Sequence, residues 1–277
     1  MTSPRALILR APGTNCDEET AHAFALAGAT PERLHVNRVL ESPARLAEFQ
    51  ILCLPGGFSY GDDVAAGRIL GNQIEHHLAD ALQAFRDADK LVLGICNGFQ
   101  VLLKTELLLP PDDDGPVATL AANDSGKFED RWVRLAAAGN KCVFLSGIAE
   151  LELPVAHGEG KFVPRDGRVL ESLRGKGQLV LRYQRAGASS PPGFAPPHEG
   201  EDAPARAPAS SVPYPDNPNG AIDDVAGVCD ATGRVFGLMP HPERFVDPTQ
   251  HPTWTRGPRR EVGDGLRVFQ NAVRYFR

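Results

Sequence analysis

The stretch LVLGICNGFQVLL, Leu91 to Leu103, holds the reading on which the rest of the chain turns. Its first half is a short, continuous apolar run, the pattern of a strand buried on both faces. Its second half reads as the helix that follows. At the switch stands Cys96, inside Gly94-Ile95-Cys96-Asn97-Gly98, with a glycine two residues away on either side. Such a cysteine is either a small buried core residue or a nucleophile on a sharp strand-to-helix turn. The stretch alone leaves both open.

On the N-terminal side of this stretch, strands and helices alternate. RALILRAPG is an apolar run ending in Pro-Gly, a buried strand and its turn. DEETAHAFALAGA follows, with acidic residues in its first turn and Gly28 near its end, both helix signals. RLHVNRV reads as a second, weaker strand. FQILCLPGG is a third, ending at Pro55-Gly56-Gly57. A long helix is expected from about Val64 to Ala88, because Leu70, Ile74, Leu78, Leu82 and Phe85 fall on one helical face. KLVLGIC is then the fourth strand. Four strand-helix alternations predict an α/β fold, an open and mostly parallel twisted sheet with helices on both faces.

The C-terminal half is different. DRWVRLAAA, KCVFLS, LELPVAH, QLVLRYQ, VAGVCDA and VFGLMPH all read as strands with few helices between them, so antiparallel strands are expected at one sheet edge. Helices are expected at RVLESLRG and at GLRVFQNAVRYFR, the latter with Leu266, Phe269, Val273 and Phe276 on one stripe. From Arg182 to Ser211 there is no Leu, Ile, Val or Met, and Pro191 to Pro215 holds eight of the 24 prolines. Such a segment buries too little apolar surface to offset its ordering entropy. We read residues 186–211 as an exposed Pro/Ala-rich loop inside one domain spanning residues 1–277, since strands lie on both sides of it.

Composition narrows the classes. The 277 residues are 42% hydrophobic and 23% charged, ordinary for a globular protein. A net charge of −6 supplies no basic field for nucleic acid or an anionic membrane. No run of 18 apolar residues predicts a membrane span. The N-terminus turns polar too early for a signal peptide. The five cysteines are scattered, odd in number and form no C-x-x-C pair, which argues against a disulfide framework or a cysteine zinc site. A reducing cytoplasm is the expectation, and no metal is expected. The adjacent pair His76-His77 reads as helix surface.

The candidate chemistry gathers from three places. An elbow places its nucleophile at a helix N-terminus, where the dipole and unpaired N–H groups favour thiolate. The N–H of Asn97, next after Cys96, is a candidate oxyanion donor. A cysteine nucleophile also needs a base and a group to orient it. GLMPHPER, Gly237 to Arg244, offers both: prolines on either side of His241 favour extended backbone, where His241 and Glu243 point the same way. PGGFSYGDD, Pro55 to Asp63, follows the third strand, and loops after parallel strands gather at one rim. Gly57 is the candidate for a second oxyanion donor.

Taken together, PGGFSYGDD, GICNGFQ and MPHPER resemble the class I, or triad, glutamine amidotransferases, whose fold is flavodoxin-like. APGTNCDEE, NDSGKFEDRWV, PVAHGEGKF and YPDNPNGAIDDVAGVCDATGRVFGLMPHPER are similar, more narrowly, to the glutaminase subunits of phosphoribosylformylglycinamidine synthases, enzymes of purine biosynthesis. The resemblance runs from the first strand to the last helix. It implies that Cys96 attacks the side-chain amide of L-glutamine, with His241 as base and Glu243 as its orienter. It implies an oxyanion site at Gly57 and Asn97, and substrate contacts from Gln100, Phe58, His157 and Gly158. Ammonia would pass to a large synthetase subunit that uses ATP and Mg, with no cofactor bound by this chain. A small bridging subunit is a further partner the resemblance allows.

Competing readings are an amidotransferase of another pathway, a non-catalytic regulatory module on the same fold, and a stress-type cysteine protein or peptidase. NDSGKFEDRWV and NPNGAIDD favour the purine pathway. The intact Cys96, His241 and Glu243 argue against a regulatory module, and MPHPE does not fit a peptidase. Two features depart from the resemblance: the length of the 186–211 loop and the cluster Arg256, Arg259 and Arg260, read as solvated or as a phosphate or partner contact.

Overall fold

The computed structural model describes residues 3–62, 65–185, 212–256 and 260–277. The expected exposed loop at 186–211 and Arg259 lie outside them. The alternating first half forms, with the long helix beginning at Arg68 and not near Val64 and with a short helix over Val36–Glu41 that was not expected: β1 (Arg5–Arg10), α1 (Asp17–Ala27), β2 (Thr30–His35), α2 (Val36–Glu41), β3 (Ile51–Leu54), α3 (Arg68–Asp87), β4 (Leu91–Ile95) and α4 (Asn97–Lys104). The weak second strand lies earlier than RLHVNRV suggested, beginning at Thr30 and ending at His35. Val36 and Val39, three residues apart and both fully buried, turn the second half of RLHVNRV into the one-and-a-half turns of α2.

The remaining elements are β5 (Ala118–Ala122), β6 (Glu129–Ala137), β7 (Glu150–His157), β8 (Glu159–Pro164), α5 (Gly167–Gly175), β9 (Leu181–Gln184), β10 (Val225–Cys229), β11 (Val235–Leu238) and α6 (Leu266–Arg274). Among the described residues nine strands make one sheet, in the order β2-β1-β3-β4-β11-β10-β9-β6-β7. The first five are parallel neighbours; from β11 outward every pairing is antiparallel. The antiparallel extension is therefore at one edge. The last strand of the chain does not sit at that edge; it inserts beside β4.

Two further features depart from the sequence reading. KCVFLS is no strand: Val143–Leu145 form a single 3-10 turn that buries Phe144 and Leu145. β5 and β8 form a separate two-stranded antiparallel sheet that the sequence reading did not anticipate.

The pattern of burial explains the layers. β3 and β4 are buried at every position, because helices cover both faces of the parallel half. β7 alternates instead, as expected of a strand with one face toward the core. The predicted stripe on α3 is buried, from Leu70 at 5% exposure to Leu78 at 1%. Truncating any of its leucines removes about 2–5 kcal/mol of packing. α3 packs on α4, and α1 packs on α6 through an edge-on contact of Phe24 with Phe269 at 4.9 Å. No helix among the described residues is long and apolar enough to cross a membrane.

Candidate active site

β3, β4 and β11 lie side by side, and their C-terminal ends each deliver one part of a single site. Cys96 follows β4 directly. Its backbone sits at φ +50°, ψ −105°, a conformation an L-residue holds only when its surroundings impose it. The flanking glycines make that turn possible. A Cβ on Gly98 would stand 1.8 Å from the Leu54 carbonyl oxygen, and one on Gly94 would stand 2.7 Å from the Gly98 oxygen. The elbow is pinned to the neighbouring strand by the Cys96 N–H, which donates to the Leu238 carbonyl at 2.8 Å. The thiol is 6% exposed and points at the Ala156 carbonyl, 3.7 Å away.

Asn97 is the first residue of α4, so its N–H has no partner within the helix. Its side chain ties the elbow to the loop after β3. The amide oxygen accepts from the Ser59 N–H at 3.3 Å, and the amide nitrogen donates to Asp62 at 3.2 Å and Gln100 at 3.0 Å. In that loop Gly57 has φ +143°, and a Cβ there would stand 2.8 Å from the backbone of Thr14 and Asn15.

His241 lies three residues beyond β11, and its N–H donates to the Pro154 carbonyl at 2.8 Å. Its Nδ1 is 2.6 Å from Glu243 Oε1. The two meet for a different reason from the extended geometry expected of the prolines. Pro242–Arg244 form a single 3-10 turn, which folds Glu243 back beneath the ring. Both side chains are buried, and His241 Nε2 makes no hydrogen bond among the described residues. Burial opposes a charge on His241. Glu243 beside it, with the nearby thiols of Cys96 and Cys16, outweighs that and raises its pKa well above the usual histidine value.

A cavity of about 180 Å³ opens on these groups. Cys96, His241, Gly57 and Phe58 line it, as do Asn15, Cys16, Phe128, Asp130 and Arg244, which sequence reasoning did not place there. Phe58 and Phe128 are half exposed at its mouth, ring centres 6.3 Å apart. Larger cavities of about 510 and 620 Å³ lie elsewhere, but neither has a cysteine or histidine in its wall.

Gln100, His157 and Gly158 do not line the cavity. Gln100 is buried beside the elbow, where its amide nitrogen donates to the Glu159 carbonyl at 2.7 Å while its oxygen accepts from Asn97. The His157 ring turns away to Asn123, with Nδ1 3.1 Å from its Oδ1. Burial, with the charge of His241 nearby, lowers the His157 pKa to about 4. The Gly158 carbonyl accepts from the Asn123 N–H at 2.9 Å. Of the arginine cluster, Arg260 is held by Glu152 at 2.7 Å and Asp264 at 2.9 Å, while Arg256 is exposed. The unforeseen Asn15 and Cys16 follow β1, another parallel strand of the same sheet, so the rule that such loops share a rim was the available signal.

Known proteins share this arrangement of chain. The CobB/CobQ-like glutamine amidotransferase domain matches residues 3–197 and 201–276. The chain is 45% identical to phosphoribosylformylglycinamidine synthase subunit PurQ of Dehalococcoides mccartyi, over 100% of this chain and 99% of that one. It is 39% identical to the subunit of the same name from Methanococcus maripaludis, over 99% of this chain and 97% of the relative. Among solved structures, a chain of PurLQS from Thermotoga maritima superposes with a TM-score of 0.68 at 29% identity, with all of both chains covered.

Proposed function

The chain belongs to the family of CobB/CobQ-like glutamine amidotransferase domains, and on that premise we infer that it is the glutaminase subunit of a phosphoribosylformylglycinamidine synthase. It serves purine biosynthesis by releasing ammonia from glutamine for a synthetase of the PurL kind. The observation that carries the chemistry is the convergence of Cys96, at its strained elbow, with the buried His241–Glu243 pair on one cavity.

The reaction follows from that geometry. The Cys96 thiolate attacks the side-chain carbonyl carbon of glutamine, and the carbonyl π electrons move onto oxygen. The N–H groups of Gly57 and Asn97 receive that oxyanion. Its collapse breaks the C–N bond, and His241 gives its proton to the departing ammonia. A thioester remains. Water then loses a proton to His241 and adds to the thioester carbon. Glutamate leaves and the thiolate–imidazolium pair returns. Glu243 holds Nδ1 throughout, which keeps Nε2 directed at the reacting atoms. Phe58 at the cavity mouth is a substrate contact. Gln100 acts on the elbow it braces, and His157 and Gly158 act through the strand exit they stabilise.

Ammonia passes to the synthetase, which spends ATP with Mg on the amide of formylglycinamide ribonucleotide. The likeness to a chain of PurLQS supports a small bridging subunit as a further candidate partner. Residues 1–277 work as one amidotransferase domain. The five cysteines are all unpaired and buried, which fits the cytoplasm. The test is to reconstitute the complex with Cys96→Ala. Glutamine-dependent synthesis is lost and synthesis driven by added ammonia persists; retained glutamine-dependent activity would rule out the nucleophile.

A further inference from the structure

Cys16 has no part in the reaction just described, yet its sulfur is one of the groups closest to the catalytic base. It is fully buried and lies 4.0 Å from His241 Nδ1, on the same ring edge that Glu243 holds. Its surroundings account for every capacity of a thiol. The S–H donates to Asn15 Oδ1 at 3.2 Å, and the sulfur accepts from Arg244 Nη2 at 3.2 Å. Arg244 is fixed in turn by Glu19 on α1, with Nε to Oε1 at 2.9 Å. Gly56 fits as closely beside Cys16, against the adjoining Cε1 atom of the ring. A Cβ on Gly56 would stand 2.7 Å from His241 Cε1 and 3.1 Å from the Cys16 sulfur. The imidazole is thus confined by Gly56, Cys16 and Glu243, and the chain Glu19–Arg244–Cys16 anchors that confinement to the first helix.

We propose that Cys16 is a positioning residue for the reaction: its sulfur, held by Asn15 and Arg244, keeps the His241 ring seated on Glu243 with Nε2 toward Cys96. This rests on the glutaminase reading of the site. Sulfur suits the place because at 4.0 Å it already stands near van der Waals contact with the ring nitrogen, where the methyl group of alanine would leave room for the ring to swing. Cys16, His241 and Glu243 also present sulfur, nitrogen and oxygen atoms within 4.8 Å of one another, a spacing that metal ligands can adopt. The Arg244 guanidinium against the sulfur disfavours a second cation there, and Glu243 already occupies the Nδ1 side of the imidazole. The hydrogen-bonded clamp is therefore the favoured reading. The contact with Cys16 also helps hold the proton on His241, while burial raises the Cys16 pKa and keeps its thiol protonated despite that contact.

The experiment compares wild type, Cys16→Ala, Cys16→Ser and Cys96→Ala in the reconstituted complex. It measures kcat and KM for glutamine from pH 6 to 9, and the rate at which iodoacetamide labels Cys96, read by peptide mass. Cys16→Ala is expected to lower kcat roughly tenfold with KM nearly unchanged, because a misplaced base weakens the transition state and not substrate binding. Its Cys96 labels several-fold more slowly at neutral pH, since the imidazole that serves it as base is less well placed. Cys16→Ser, which keeps a donor and acceptor, recovers part of both losses. Should Cys16→Ala fail to fold, Cys16→Ser against wild type carries the same comparison. A Cys16→Ala enzyme of wild-type kcat, pH profile and labelling rate overturns the proposal, as does one that loses only thermal stability. If Cys96→Ala still hydrolyses glutamine, the reading of the whole site fails instead.

Discussion

His241 Nδ1 and Glu243 Oε1 lie 2.6 Å apart with both side chains buried, so the carboxylate acts on the imidazole with little water to screen it. Glu243→Gln keeps the size of the side chain and removes its charge. The imidazolium loses the neighbour that most raises its pKa, and the amide can present an N–H where Nδ1 needs an acceptor. We expect kcat for glutamine hydrolysis to fall about 10- to 1,000-fold, with KM changed far less. Ammonia-driven synthesis in the complex is expected to be untouched. Steady-state assays with each nitrogen source check this, and an unchanged kcat would remove Glu243 from the catalytic machinery.

A second prediction concerns acid stability. His157 is buried with a pKa lowered to about 4, while the unfolded chain binds that proton near 6.5. Between those values the unfolded state takes up a proton that the folded state refuses. Stability from this residue is therefore fully present above pH 6.5 and lost as pH falls toward 4, on the order of 3 kcal/mol in all. His241 has its pKa raised, so its contribution is complete below 6.5 and does not act in that window. His157→Gln, which can still donate to Asn123, is expected to lose less stability than wild type on acidification. Denaturant titrations at pH 7 and pH 4.5 measure the difference, and parallel losses in the two proteins would contradict it.

How much of this was legible in the sequence depends on distance along the chain. The elbow was readable because Gly94, Cys96 and Gly98 fall within five residues and their steric demand is local. The His241–Glu243 pair was found from two residues' separation, although a 3-10 turn and not extended backbone brings them together. Cys16 was missed because 225 residues separate it from His241. Only the strand order, with β3 between β1 and β4, brings its loop to the same rim. KCVFLS misled because an apolar run of a few residues has no period of its own; tertiary packing of Phe144 and Leu145 decided its shape. The β5–β8 pair was invisible for a similar reason, since ATLAA lacks clear alternation and pairs far along the chain, Leu120 with Phe162.

The elbow glycine gives a prediction about stability and activity together. In Gly98→Ala the new methyl group meets the Leu54 carbonyl oxygen at 1.8 Å, and that backbone belongs to a buried central strand that cannot retreat. We expect a loss of about 3 kcal/mol or more, and displacement of Cys96 from its conformation in whatever protein still folds. Thermal unfolding and iodoacetamide labelling of Cys96 read the two effects. A variant of wild-type stability would mean that the close approach of α4 to β3 is not as described.

Asn97 separates the work of a backbone group from that of its side chain. Asn97→Ala leaves the N–H proposed for the oxyanion in place and removes the amide that joins Ser59, Asp62 and Gln100. The loop so released is held in unfavourable conformations, with Tyr60 at φ +56° and Asp62 at φ +54°. It also carries Gly57 and Phe58 into the cavity wall. Freed of its tie, the loop relaxes away from glutamine, so KM is expected to rise more than kcat falls. Loss of these hydrogen bonds corresponds to about 1–3 kcal/mol, or roughly 5- to 150-fold in kcat/KM. The opposite split, with kcat lost and KM unchanged, would place the effect of Asn97 on the transition state and not on the loop.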